Sequence, residues 1–160
     1  FLKPSVDTRV GGNIVWSRIG LKAEATLITP AENLEKLYLE KKEITNVIIV
    51  DECQFLTEKQ VDELGDVALF YDVPVLCFGL ATDFTTKLFE GSKRLFEIAE
   101  SITEIKSICR CGSKATVNAR LDENGRVLNK GEQFCLGGND RYQAMCRRCW
   151  LEKLKEQGDI

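Results

Sequence analysis

Two short apolar runs, Val47-Ile48-Ile49-Val50 and Val75-Leu76-Cys77-Phe78, flank a stretch of helical periodicity, and this arrangement constrains the fold more than any other feature. Continuous β-branched runs of this length are strands buried on both faces. Between them, Thr57 and Gln60 fit a capping box. Val61, Leu64, Ala68 and Tyr71 then recur on one helical face, and Asp72-Val73-Pro74 ends the helix. Gly79 stops the second run. Strand, helix, strand with short links is a βαβ unit, which requires parallel strands. The expectation is an α/β fold built on a parallel sheet.

Other elements follow from the same reasoning. Thr29-Pro30-Ala31-Glu32 predicts a helix start, with Thr29 as cap, Pro30 at the first helical position and Glu32 closing the box. Leu34, Leu37 and Tyr38 form its apolar stripe. Ser92 to Glu100 predicts another helix, with Leu95, Phe96 and Ala99 facing inward. The β-branched content of Ile102 to Ile108 favours a strand. After Ile108 the chain turns polar and glycine-bearing, with no long apolar run. A boundary is placed there. Residues 1–108 are read as the α/β domain, 109–150 as a small metal-held lobe, and 151–160 as a charged tail forming a short helix or fraying.

The 160 residues are 44% hydrophobic, enough for one compact domain with a small appendage. A formal net charge of −3 offers no general attraction for nucleic acid. No apolar run approaches the ~20 residues that span a bilayer, and no signal peptide is visible. Phe1-Leu2-Lys3-Pro4 reads like the end of a strand, so the natural N-terminus is expected upstream of Phe1. Seven cysteines, an odd count with two close pairs, point to a metal site and a cytoplasmic setting rather than a disulfide framework. The lack of histidine excludes a Ser-His-Asp triad or a Cys-His dyad within this segment.

Cys109-Arg110-Cys111 is a CxC and Cys146-Arg147-Arg148-Cys149 a CxxC. Two close pairs separated by a loop can present four thiolates tetrahedrally, the arrangement that suits Zn²⁺. The alternative is four free, buried thiols. A site closed by four thiolates is structural rather than catalytic, and it would stabilise a lobe too small for its own core. Cys135 is spare. Cys53 and Cys77, in or beside strands, read as small buried hydrophobes.

The first run ends directly on two acids, Asp51 and Glu52. Ligands of parallel α/β sheets bind beyond the carboxyl ends of the strands, which is where these acids fall. An apolar strand closing on Asp is similar to the Mg²⁺-associated acid of P-loop kinases, and the next acid can accept a proton from a nucleophile. The bland alternative is that both merely shape a turn. Phe55 beside them could stack on a ring-shaped substrate. Gly79-Leu80-Ala81-Thr82-Asp83-Phe84 brings an acid and an aromatic beyond the second strand's carboxyl end. Two such loops would converge on one cleft fit for a nucleoside or nucleotide.

Taken in order, DECQF (51–55), GLATDF (79–84), the paired cysteines and GGNDRYQAMCRRC (137–149) resemble the zinc-containing thymidine kinases of cellular and bacterial type. The resemblance runs through nearly the whole chain. It implies a RecA-like P-loop domain with a zinc-ribbon-like lobe carrying a lasso loop, about Gly112 to Met145, that closes over the base. It implies transfer of the γ-phosphate of ATP to the 5′-hydroxyl of thymidine, with deoxyuridine as a further substrate, for nucleotide salvage. By resemblance, Glu52 matches the general base and Asp51 the Mg²⁺-associated acid. Phe55 and Phe84 match aromatics around thymine and deoxyribose, and Tyr142 matches a lasso tyrosine that contacts the nucleoside. Cys109, Cys111, Cys146 and Cys149 match the zinc ligands, and Asp7 and Arg9 a D-x-R near the phosphates. The resemblance further implies a homotetramer inhibited by thymidine triphosphate, with no nucleic-acid or membrane partner. The family's phosphate-cradling G-x-x-x-x-G-K-[ST] loop is expected upstream of Phe1.

Two other readings stay open at this point. One is a zinc-ribbon module fused to a P-loop-like domain that binds a nucleotide without chemistry, mildly favoured by Arg110, Arg141, Arg147 and Arg148. The other is an inactive paralogue.

Overall fold

The structure is a computed structural model that describes the 160 residues apart from 6–12, 17–18, 21 and 134–140. The chain forms two compact units. One comprises residues 1–81 and 89–101, the other residues 82–88 and 102–160.

The first unit begins with β1 (Leu2–Pro4), a β2–β3 hairpin (Ile14–Trp16 with Lys22–Glu24), β4 (Thr26–Ile28) and α1 (Leu34–Lys41). It continues with β5 (Ile48–Val50), α2 (Glu58–Tyr71), β6 (Val75–Cys77) and α3 (Glu90–Ile98). Its main sheet has the order β4-β1-β5-β6, with every pairing parallel. The βαβ unit read from the two apolar runs is thus β5-α2-β6, and the α/β class holds. The second run is shorter than predicted: Phe78 lies past the strand and is half-exposed, as is Leu76.

The core lies where α1 and α2 cover one face of this sheet. Ile28, Ile48 and Val50 meet Leu34, Tyr38, Val61, Leu64 and Val67 there. The capping box of α2 forms as expected: Thr57 Oγ1 accepts from Gln60 N–H, and Gln60 Oε1 accepts from Thr57 N–H, each at 3.2 Å. Val67 rather than Tyr71 completes the buried stripe. Tyr71 sits at the rim, its ring 5.2 Å from that of Tyr38.

Helix α1 starts later than Thr29 predicts. Thr29 and Glu32 close a local turn, while the cap is Asn33, whose Oδ1 accepts from Lys36 N–H at 2.6 Å. The decisive group is remote: the buried Glu63 carboxylate of α2 accepts from Leu34 N–H and from Asn33 Nδ2, both at 2.7 Å. The Leu34 bond satisfies a backbone donor that a helix N-terminus otherwise leaves open, and the Asn33 bond holds the cap side chain. Helix α3 starts two residues before the predicted Ser92 and buries Gly91 and Ser92; of its expected inward residues Leu95 packs on the core, Phe96 is half-exposed and Ala99 is the C-cap. A Cβ at Gly91 would lie 2.7 Å from the carbonyl oxygens of Cys53 and Leu56, so only glycine lets the helix start so close to that turn.

The second unit contains a short β7–β8 pair (Ser107–Ile108 with Lys114–Ala115), then β9 (Val117–Leu121), β10 (Arg141–Met145) and α4 (Arg147–Gln157). Of the strand predicted over Ile102 to Ile108, only Ser107–Ile108 pairs, and Ile102, Ile105 and Ile108 are exposed. β9 and β10 are antiparallel, and Val117, Ala119, Val127 and Met145 pack with Trp150 and Leu154 of α4. The residues predicted as a tail are therefore mostly helix, with Leu154 fully buried.

Candidate functional site

Asp51 and Glu52 lie at the carboxyl end of β5. Asp51 N–H donates to Leu2 O at 3.0 Å, and Phe78 N–H to Val50 O at 2.8 Å, so neighbouring strands hold the end of β5 on both sides. Glu52 has φ 53° and ψ 40°, the left-handed region. A non-glycine residue there costs on the order of 1–2 kcal/mol and is retained when its surroundings impose it. Here they do. Asp51 Oδ1 accepts from Glu52 N–H at 3.1 Å, and the turn Cys53–Phe55 follows at once, pinned by Cys53 N–H to Phe78 O at 2.9 Å. The backbone reversal breaks the strand and turns the Glu52 carboxylate back toward Gln54, whose Nε2 donates to Glu52 Oε2 at 2.5 Å.

Phe55, the last residue of that turn, is half-buried and meets Phe89 edge to face, with centroids 5.7 Å apart and planes at 75°. Cys53 and Cys77 are not inert neighbours. The Cys53 thiol donates to the Cys77 sulfur, which drives the Cys53 thiol well above its ordinary value and lowers that of Cys77. A cavity of about 300 Å³ bounded by Leu2, Tyr38, Ile44 and Ile48 lies at the amino ends of the strands, away from the acids.

In the second unit, residues 82–88 form a tight hairpin built on the buried Asp83. Its Oδ1 accepts from Thr85 N–H at 2.8 Å, Thr85 Oγ1–H at 2.7 Å and Lys87 N–H at 3.0 Å. Phe84 at its tip is 1% exposed. The Arg120 guanidinium lies over the Phe84 ring, 5.1 Å from its centroid, and donates to Glu132 O at 3.2 Å. Tyr142 on β10 is the direct cross-strand partner of Arg120 on β9, and it is half-exposed. Partners opposite one another project from the same face of a sheet. Phe84 and Tyr142, singled out separately in the sequence, are each related to Arg120, one through its ring and the other through the strand register.

Asp51, Glu52 and Phe55 lie on one turn of the first unit, while in the second unit Phe84 packs under Arg120 and Tyr142 is the cross-strand partner of Arg120. Asp7 and Arg9 lie outside the described residues. Sequence reasoning missed Gln54 and Arg120. The signal for Gln54 was its place two residues after Glu52; the signal for Arg120 was a charged residue between the apolar Ala119 and Leu121 of the same strand.

The four paired cysteines form one cluster, with all sulfurs within 4.8 Å of one another. Tetrahedral zinc with Zn–S bonds of about 2.3 Å requires sulfurs about 3.8 Å apart. Cys111 Sγ and Cys146 Sγ stand at 3.7 Å, so the donor set fits that ion. Sulfurs this close compete for protons. Ser113 donates to Cys111 through its hydroxyl and backbone and lowers that thiol to about 6, while the sulfurs of Cys146 and Cys111 push Cys149 up to about 12. A dication is the species that lets all four carry charge together.

Comparison with known proteins agrees with this geometry. The family model described as thymidine kinase matches residues 1–150. A thymidine kinase of Rhodopirellula baltica is 44% identical over 160 residues, covering 99% of this chain and 76% of the relative. One from Zymomonas mobilis is 47% identical over 151 residues, covering 93% and 78%. One from Enterobacteria phage T4 is 43% identical over 159 residues, covering 98% and 82%. Among the described residues, no helix is long and apolar enough to cross a membrane.

Proposed function

The chain belongs to the thymidine kinase family, and from that premise we propose that it transfers the γ-phosphate of ATP to the 5′-hydroxyl of thymidine, giving thymidine monophosphate for nucleotide salvage. Glu52 takes the hydroxyl proton. The 5′-oxygen forms a bond to the γ-phosphorus, the bond from that phosphorus to the bridging oxygen breaks, and ADP leaves. Asp51 is the acid that would hold Mg²⁺, which when bound neutralises charge on the triphosphate. Phe55, Phe84 and Tyr142 pack against the nucleoside, and Asp7 and Arg9 serve the phosphates. The four cysteines would hold Zn²⁺ as a structural ion. The proposal extends to a cytoplasmic homotetramer with thymidine triphosphate as feedback inhibitor and deoxyuridine as a second substrate.

One observation carries the assignment of chemistry: a glutamate held in the left-handed region at the carboxyl end of a parallel strand, its carboxylate gripped by a buried amide. A glutamate that merely shaped a turn would not need this support.

The test is ATP- and Mg²⁺-dependent phosphorylation of thymidine by the protein expressed from its complete reading frame, alongside Glu52→Gln. Removal of a positioned general base costs ~10²–10⁴ in rate. A loss of that order in kcat with thymidine still bound supports the reading. A variant as fast as the parent removes Glu52 from the chemistry.

A further inference from the structure

Gln54 is 2% exposed, and its side-chain amide is used at both ends. Nε2 donates to Glu52 Oε2 at 2.5 Å, while Oε1 accepts from Leu80 N–H at 3.1 Å. The orientation of the amide is not arbitrary. A backbone N–H can only donate, so the oxygen must face Leu80 and the NH₂ must face the carboxylate.

The loop after β6 is built to admit this amide. A Cβ at Gly79 would lie 2.4 Å from Gln54 Oε1 and 2.8 Å from Cys53 Sγ, so any side chain there would push the amide out of its place. Leu80 is fixed in turn, because its carbonyl accepts from Ser92 Oγ–H at 2.6 Å at the start of α3. The amide thus ties the Glu52 carboxylate to the backbone of a second loop. That loop is anchored to a helix N-terminus whose Gly91 admits the Cys53–Phe55 turn.

We propose that Gln54 is a positioning residue for phosphoryl transfer: its amide holds the Glu52 carboxylate in the orientation that accepts the hydroxyl proton, using Leu80 N–H as the fixed point. The proposal rests on the reading of Glu52 as general base. Gln54 touches no substrate in this scheme and acts through Glu52 alone. Its loss should therefore appear in kcat and not in substrate binding.

Two variants separate the two hydrogen bonds. Gln54→Glu keeps an acceptor for Leu80 N–H and replaces the amide donor by a second carboxyl group, which shares a proton with Glu52 and so withdraws it as a base. Gln54→Met removes both at similar length. Each is assayed alone and combined with Glu52→Gln, using ATP, Mg²⁺ and thymidine, with the melting temperature followed in parallel. The expected result is a kcat lower by ~10–100-fold in both single variants, the usual loss for a hydrogen bond to a charged group. KM for thymidine should stay within about twofold, and in the Glu52→Gln background either substitution should change kcat by no more than about twofold. A purely structural role would lower kcat equally in both backgrounds. Should Gln54→Met fail to fold, Gln54→Glu still decides the matter. Parental kcat in Gln54→Glu, or an equal loss in the two backgrounds, overturns the proposal while leaving Glu52 in place. Parental kcat in Glu52→Gln alone removes the general base, and this inference with it.

Discussion

The guanidinium of Arg120 covers the ring of Phe84 at 5.1 Å, and the two side chains are 7% and 1% exposed. A cation over an aromatic face, desolvated to this degree, is worth up to about 2 kcal/mol, to which the packing of the arginine stem adds. Arg120→Ala should therefore lower stability by about 1–3 kcal/mol, read as a reduced midpoint in urea. The conservative Arg120→Lys should lose most of the same amount, because an ammonium cannot both lie flat on the ring and reach Glu132 O. A lysine variant as stable as the parent would show that packing, not the planar cation, matters here.

The second unit has a small core. Val117, Ala119, Val127, Met145, Trp150 and Leu154 are grouped around the cysteines. Bound zinc should be stoichiometric with chain by elemental analysis, and its removal by a strong chelator should expose Trp150, now 7% exposed, with a red shift of its fluorescence. Cys111→Ser should lower zinc content and reproduce the shift without chelator. An unchanged spectrum after complete removal would mean that the apolar contacts suffice alone.

Two helical glycines predict opposite signs. A Cβ at Gly65 in α2 would lie 3.2 Å from the Cδ1 tip of Ile98, a side chain 37% exposed and free to turn aside. Gly65→Ala should stabilise by about 0.5–1 kcal/mol through the lower entropy of the unfolded chain. At Gly91 the same methyl would meet two backbone carbonyls at 2.7 Å, which cannot move independently of the Cys53–Phe55 turn. Gly91→Ala should destabilise, and because that turn follows Glu52 it should lower kcat as well. Paired urea titrations check both signs.

The Cys53–Cys77 pair predicts selective chemistry. Cys77 titrates below the ordinary 9.0, because Cys53 donates to it, and Cys53 titrates above. The thiolate is the reactive form, so as pH rises it appears first on Cys77. Iodoacetamide at pH 8 should label Cys77 ahead of the buried Cys53, as peptide mass mapping would show. Faster labelling of Cys53 would reverse the donor and acceptor.

The features legible in the sequence were those determined over a few residues. The capping box of Thr57 and Gln60 forms as expected because both partners lie within one helical turn. The two members of each cysteine pair converge because they lie only two or three residues apart, and the four sulfurs form one cluster. The start of α1 was misread at Thr29 because its true cap draws on Glu63, thirty residues beyond Asn33. The inward face of α3 was misread because its closest contact is made by Gly91, a residue with no side chain to contribute to a hydrophobic pattern. At the site, Asp51 and Glu52 stood out as acids ending an apolar run. Gln54 did not, because the significance of a buried amide lies in its partner Leu80 on another loop.

Cys146 belongs to the sulfur cluster and is also the N-cap of α4, its sulfur accepting from Cys149 N–H at 3.4 Å. A metal held by this cluster would therefore be linked thermodynamically to formation of α4 at a single atom. With zinc held there as proposed, free zinc concentration would become a variable of folding for α4, and any competitor for the ion would act on that helix from its first turn onward.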